Sequence, residues 1–358
     1  MSLALAPLSL VFGALTRART RLYRSGVFKT ERVGAPVISV GNLTVGGTGK
    51  TPLVEWVARA VANEGLRPCV LTRGYGREDV RSRVVVSDGA RVRASVREGG
   101  DEAVLLAEAL SGVASVVSDR DRVGAARWAR GALGARVFVL DDGFQHMRIA
   151  RDLDIVTLDA TAPWGGGHLL PWGRLREPVT ALARADCVVV TRSDLSPDLG
   201  RLRSQIERLT AARVVVSRVR TRGLRRIGDD TQESAARVGV GGLASSGPVA
   251  AFCAVGNPRA FFGQLRKEGF DLRHTRPFPD HHDYTRAEVE TLTREAERAG
   301  ARALLTTAKD AVKLRSQAFS LPCYVVEIEL EFDDEDSLRG LLKGAISKDG
   351  SNRAEGEG

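Results

Sequence analysis

Ser39-Val40-Gly41-Asn42-Leu43-Thr44-Val45-Gly46-Gly47-Thr48-Gly49-Lys50-Thr51-Pro52 decides the fold. It follows the β-rich run Pro36–Val40 and precedes the helical pattern Pro52–Asn63, so a glycine-rich loop joins a strand to a helix. Glycines let backbone N–H groups approach phosphate oxygens, and the helix start adds the positive end of its dipole. Gly46, Gly47, Thr48 and Gly49 form the cradle, Lys50 reaches the β- and γ-phosphates, and the Thr51 hydroxyl ligates magnesium. Thr44 stands where the usual spacing has its first glycine. The strand–loop–helix context still reads as a nucleoside-triphosphate site.

Outward from this loop, short β-rich runs alternate with helical patterns. Cys69–Thr72, Val84–Ser87, Ala114–Ser118, Val137–Leu140, Asp154–Leu158 and Cys187–Thr191 read as buried strands. Glu102–Leu110 and Arg120–Gly131 read as amphipathic helices between them. Such alternation predicts an α/β fold of P-loop NTPase type, a largely parallel sheet flanked by helices. A strand over 213–222 leaves this unit, and a polar, glycine-rich stretch follows from Gly223 to about Gly247. A second, smaller α/β domain then begins with the strand Val249–Val255 and a helix opening at Asn257-Pro258, with Leu304–Thr306 and Tyr324–Leu330 as further strands. The expected domains are 1–212, 213–347 with a β-ribbon linker, and a disordered tail over 348–358.

The partner of a phosphate loop is a strand ending in an acid that helps to hold magnesium. Val137-Phe138-Val139-Leu140-Asp141-Asp142-Gly143 has that form, with two carboxylates at the strand's carboxyl end, where ligands bind in such sheets. Gly99-Gly100-Asp101-Glu102 puts two more carboxylates at a helix start, as chemistry or as capping. Phe278-Pro279-Asp280-His281-His282-Asp283 holds two of the five histidines and suits either a metal or a proton acceptor. Arg73-Gly74-Tyr75-Gly76 and Gly173-Arg174-Leu175-Arg176-Glu177-Pro178 are basic loops that grip an anion or lie solvated. Thr307-Ala308-Lys309-Asp310 has the residue types of a guanine reader in the wrong order, which leaves nucleotide contacts by Lys309 or Asp310 open.

The chain has 358 residues, a two-domain length, and a formal charge of +9 that favours anionic partners. No apolar run approaches the ~18 residues of a membrane span. Four scattered cysteines form no paired motif, which implies a reducing cytoplasm. Aromatics are 5% of the chain, too few beside its basic regions for a nucleic-acid stacking platform. At the N-terminus Leu8, Val11, Phe12, Leu15, Ala18 and Leu22 share a helical face opposite Arg17, Arg21 and Arg24, while Arg19 spoils the pattern. Such a helix lies in a membrane interface or packs on its own domain.

These motifs occur in a fixed order that resembles the lipid A 4'-kinase family, the tetraacyldisaccharide 4'-kinases. The series runs through the phosphate loop with its Thr44, then Arg73-Gly74-Tyr75-Gly76, Gly100-Asp101-Glu102 and Asp141-Asp142-Gly143-Phe144-Gln145-His146. Gly173–Pro178, Phe278–His282 and Thr306–Asp310 complete it, and the resemblance covers about residues 7–330. It implies transfer of the γ-phosphate of ATP, with Mg2+, to the 4'-hydroxyl of a tetraacyl glucosamine disaccharide 1-phosphate, giving lipid IVA. It also implies a peripheral enzyme at the cytoplasmic face of the bacterial inner membrane, with the membrane surface as partner and no obligate protein partner. By motif, Asp101 is similar to the carboxylate that takes the hydroxyl proton, with His281 as its partner and Lys50 on the phosphates. Glu102, Asp141 and Asp142 resemble the acids around the metal, and Arg73, Tyr75 and Arg176 the contacts to the sugar phosphate. The alternative is a P-loop GTPase that drives a partner protein; it needs a guanine reader and has no use for His281.

Overall fold

The structure, a computed structural model, describes residues 5–228 and 247–354, with side chains to 347. Most of the polar stretch between the expected domains lies outside the described residues. The chain divides into two compact units, Met1–Arg218 with Phe332–Gly358, and Val219–Glu331.

The first unit contains β1 (Val37–Asn42), β2 (Pro68–Thr72), β3 (Val84–Ser87), β4 (Ser115–Ser118), β5 (Val137–Asp141), β6 (Leu153–Asp159), β7 (Cys187–Thr191) and the start of β8 (Arg213–Arg226). Their order is β8-β7-β6-β1-β5-β2-β4-β3. All neighbours are parallel except the edge pair β3 and β4, which is antiparallel. The β-branched runs suit strands covered on both faces. On one face Cys69, Leu71, Phe138 and Leu140 pack with Val123, Ala126 and Ala129 of the helix Arg122–Ala132. Elsewhere Val156, Leu158, Val188 and Val190 pack with Leu202 and Ile206 of the helix Leu199–Glu207.

Strands β8 and β12 (Cys323–Phe332) carry the chain out of the first unit and back. The sequence reading extended the second domain to residue 347, whereas the chain rejoins the first unit at Phe332. The following helix, Glu335–Ala354, buries Leu338, Leu342 and Ala345 and sets Arg339 over the Trp56 ring at 5.3 Å. Because this helix runs to Ala354, the expected disordered tail is helical over 348–354; residues 355–358 lie outside the described residues.

In the second unit β9 (Val249–Cys253), β10 (Leu272–Pro277), β11 (Ala303–Thr307) and β12 form a parallel array in the order β10-β9-β11-β12. Sequence reading did not find β10. Its Leu-Arg-His-Thr-Arg-Pro has no apolar run, because as an edge strand it is only partly buried.

The N-terminal helix, Ala6–Arg24, is turned outward. Ser9 and Gly13 are its buried residues, and the Ser9 hydroxyl donates to the Leu169 carbonyl at 2.8 Å. Leu8, Leu10, Val11 and Leu15 are 56–74% exposed.

Candidate active site

Parallel strands bring their carboxyl ends to one edge, and the first unit's polar residues gather there. Asn42, the last residue of β1, is fully buried. Its Nδ2 donates to the Thr44 carbonyl at 2.7 Å and to Thr48 Oγ1 at 2.9 Å. Thr48 Oγ1 meets Thr157 Oγ1 at 2.7 Å, and Thr191 Oγ1 donates to the Thr48 carbonyl at 2.9 Å. Arg192 Nη1 donates to the Gly47 carbonyl at 2.8 Å and to Asp159 Oδ2 at 2.5 Å. The glycine-rich loop is therefore clamped through its carbonyls from Asn42 of β1, Thr191 of β7 and the following Arg192, and through the Thr48 hydroxyl from Thr157 of β6. Gly49, at φ +80°, then releases the chain into the helix Lys50–Asn63.

The unusual Thr44 has a local cause. Val45 N–H donates to the Arg174 carbonyl at 2.8 Å, and Arg176 N–H to the Leu43 carbonyl at 2.7 Å. Thr44 and Leu175 thus face each other as an antiparallel bridge. An extended backbone pinned by a neighbouring strand needs no glycine.

The acidic pair sits directly beside this loop. Gly41 and Gly143 allow the approach: a Cβ on Gly41 would lie 2.6 Å from the Phe144 backbone nitrogen, and one on Gly143 would lie 2.7 Å from Ser39 Oγ. Asp141 ends β5 and is buried, and Asp142 turns the chain at φ +52°. Lys50 Nζ lies 3.4 Å from Asp142 Oδ1, and Arg176 Nη1 donates to Asp142 Oδ2 at 2.6 Å. Arg122, itself buried, donates to the carbonyls of Asp141 at 2.8 Å and Asp142 at 3.4 Å.

The two carboxyls are driven in opposite directions. Burial pushes Asp141 up to about 7, and the negative charges of Glu102 and Asp142 add to the rise. Burial acts on Asp142 as well, but the cations of Lys50 and Arg176 outweigh it and hold this carboxyl well below the usual range.

Asp101 is buried, and Glu102 N–H donates to its Oδ1 at 2.9 Å. The N-cap of the helix Asp101–Ala109 is Gly100, at φ +91°, rather than either acid. A Cβ on Gly100 would lie 2.6 Å from the Tyr75 carbonyl oxygen, so only glycine lets the Arg73–Gly76 loop rest on this helix start. That loop exposes Arg73 and Tyr75. Buried Arg77 supports it through the Ser118 carbonyl at 2.8 Å and the Val80 carbonyl at 3.0 Å.

The remaining expected residues belong to the second unit. His281 follows β10 in a left-handed backbone conformation, φ +64°, with its N–H on Asp280 Oδ1 at 3.1 Å. Lys309 Nζ reaches the same Asp280 oxygen at 3.0 Å and His281 Nε2 at 3.3 Å. Asp310 is buried as a brace, accepting from Ala254 N–H at 3.0 Å, Tyr284 Oη at 2.8 Å and Thr307 Oγ1 at 2.6 Å. These bonds give Asp310 a structural task.

Sequence reasoning missed Arg77, Arg122, Thr157, Asp159, Thr191 and Arg192. A usable signal was present: the buried runs end in Asn42, Asp141, Asp159 and Thr191, each a polar residue at the carboxyl end of a parallel strand.

The family model for tetraacyldisaccharide-1-P 4'-kinase matches residues 1–347. The chain belongs to that family. A tetraacyldisaccharide 4'-kinase of Geobacter metallireducens is 43% identical over 87% of this chain and 88% of its own length. One from Desulfotalea psychrophila is 37% identical over 92% and 93%. The solved structure of the Aquifex aeolicus family member, in complex with ATP, superposes with a TM-score of 0.76 at 30% identity, covering 96% of this chain and 98% of that one. The protein is thus a kinase that phosphorylates the 4'-hydroxyl of a lipid A disaccharide precursor. The GTPase alternative is set aside.

Among the described residues, no three His, Cys, Asp or Glu side chains group so as to hold a metal by themselves. Magnesium in phosphoryl transfer is usually held by one or two carboxylates together with substrate phosphates. The donor set fits: Asp141 and Asp142 are hard oxygen ligands, and Asp142 Oδ1 is a buried oxygen that makes no hydrogen bond and faces Lys50 Nζ at 3.4 Å.

The raised Asp141 sets a pH signature in metal-free protein. The fold favours its protonated form, so its contribution to stability falls as pH rises from about 4 toward 7 and is level above that. Asp141→Asn should remove this fall. The melting temperature of the variant, relative to wild type in EDTA, should rise between pH 5 and pH 8 while kinase activity is lost. A constant difference across that range would contradict the assignment.

Proposed function

We propose that Lys50, Asp101, His281 and the acidic pair carry out this transfer at a membrane surface. The observation that carries the reading is the gathering of Lys50, Asp141, Asp142 and Arg176 at the carboxyl ends of β1 and β5. Phosphoryl transfer depends mainly on positioning and charge stabilisation. Lys50 meets the β- and γ-phosphates of ATP from the loop Gly46–Gly49. Thr51, Asp141, Asp142 and Glu102 are the side chains that would hold Mg2+, which when bound neutralises charge on the phosphates. Arg176, already beside Asp142, adds positive charge at the same end. Arg73 and Tyr75 present donors to the sugar phosphate.

A sugar hydroxyl is a weak nucleophile near neutral pH and gains from a positioned proton acceptor. Asp101 takes that proton in this reading, and His281 supports the carboxylate. Motif matching is what supports pairing Asp101 of the first unit with His281 of the second.

Labelled phosphate transfer from ATP to purified disaccharide 1-phosphate tests the assignment. Lys50→Ala should abolish most turnover while the protein stays folded; near-normal turnover at saturating ATP would sink it. Asp101→Asn should lower kcat by about 10²–10⁴-fold. His281→Ala should also lower kcat and spare ATP affinity. If the two act as one unit, the double variant costs much less than the product of the single losses. Multiplicative losses would argue against the pair.

The outward-facing Leu8, Leu10, Val11 and Leu15, flanked by Arg17, Arg21 and Arg24, support peripheral attachment to the anionic inner-membrane surface on its cytoplasmic side. Among the described residues no helix is long and apolar enough to cross a membrane. Leu8→Ser with Val11→Ser should weaken sedimentation with anionic vesicles and raise the KM for lipid, leaving the KM for ATP unchanged. Unaltered vesicle binding would remove this helix from the membrane contact.

A further inference from the structure

We infer that Lys309 is a positioning residue that fixes His281 as the neutral imidazole tautomer with its proton on Nδ1. The inference rests on the role proposed for His281 and specifies the state in which it acts.

Lys309 lies in the first turn of the short helix Ala308–Leu314, where a cation opposes the positive end of the helix dipole. Asp280 offsets that cost. Its Oδ1 accepts from Lys309 Nζ at 3.0 Å, and the lysine side chain is 15% exposed, so the pair keeps the amine protonated. An ammonium has three N–H groups and no lone pair. In the 3.3 Å contact between Lys309 Nζ and His281 Nε2, the ammonium therefore donates and Nε2 accepts. A neutral imidazole whose Nε2 accepts carries its hydrogen on Nδ1. An imidazolium there would set N–H against N–H and cation against cation.

Two further features hold the ring in place. Asp280 Oδ1 is 3.9 Å from His281 Nε2, too far to compete as a hydrogen-bond acceptor, and the same oxygen accepts the His281 backbone N–H. One carboxylate oxygen thus fixes both the lysine and the histidine backbone. That backbone sits in the left-handed region, which a non-glycine residue rarely adopts. Strain of this kind persists where the surroundings over-determine it, commonly at functional sites. Neighbouring charges have other contacts: His282 Nε2 lies 3.1 Å from Glu288, and Lys313 Nζ reaches the His282 carbonyl at 3.2 Å and Asp283 at 3.7 Å.

Lys309 is accordingly assigned to His281 and not to the nucleotide contact that the residue types of Thr-Ala-Lys-Asp left open. His281 then offers Nδ1–H as a donor to a carboxylate, and the hydroxyl proton is left to the aspartate.

The test is 15N NMR of histidine-labelled full-length protein at pH 7.5, with His281 assigned through His281→Gln. The wild type should show protonated Nδ1 and unprotonated Nε2; a protonated Nε2 would overturn the inference, whatever happens in any variant. Lys309→Met should mix the tautomers and lower kcat by about 10–100-fold, the scale of losing a hydrogen bond from a charged donor. The KM for ATP should stay unchanged, and Lys309→Arg should restore much of the rate. An unchanged His281 signal with a raised KM for ATP would return Lys309 to the nucleotide site. A wild-type kcat in His281→Gln would remove His281 from the chemistry, yet the wild-type tautomer would still decide the inference separately.

Discussion

Placing two carboxyl groups at the buried end of β5, within reach of a lysine from the neighbouring loop, is the constraint on which the first unit turns. Burial alone would neutralise both acids. Lys50 and Arg176 keep Asp142 charged, while Asp141, raised by burial and by the charges of Glu102 and Asp142, is not offset by its cations. The backbone pays for this closeness with glycines: Gly41 and Gly143 stand where any Cβ would strike the facing segment. Arg122 then ties the carbonyls of both acids, so their turn is held through its backbone while the Asp142 carboxylate is engaged by Lys50 and Arg176.

The parallel sheet was legible because strands covered on both faces are written as β-branched runs, and Val137–Leu140 or Cys187–Thr191 have no helical period to confuse them. The edge strand Leu272–Pro277 was not legible, since a partly exposed strand can alternate polar side chains freely. Motif residues such as Lys50, Asp101 and Asp142 announced themselves by spacing. Arg77, Arg122 and Arg192 did not, because arginine is so abundant in this chain that a buried clamp and a solvated surface residue look alike in sequence. What separates them is a set of backbone carbonyls, and carbonyls leave no mark on composition.

Lys309 illustrates the same limit from the other side. Its residue type was noticed, but its contact with His281 was not, because 28 positions separate the two along the chain. The register of β10 and β11 on either side of β9 brings them together. Asp310, next in sequence, faces the core and braces Tyr284 and Ala254. Adjacent residues of one motif thus serve different ends: one holds the local packing, the other holds a ring.

The N-terminal helix shows why an amphipathic pattern needs a structure to give it direction. Of its apolar stripe Leu8, Val11, Leu15 and Ala18 are exposed and Phe12 and Leu22 half-buried; the buried residues are small Ser9 and Gly13, set close against Leu169. Arg19, the residue that broke the pattern, donates to the Gln145 carbonyl at 2.9 Å. Gln145 in turn donates through Nε2 to the Asn42 carbonyl at 2.9 Å, and Asn42 holds the phosphate loop. The helix that presents leucines outward is therefore bonded inward to the segment after the acidic pair and, through it, to the loop that grips phosphate. The membrane contact proposed for these leucines thus shares its footing with the phosphate loop.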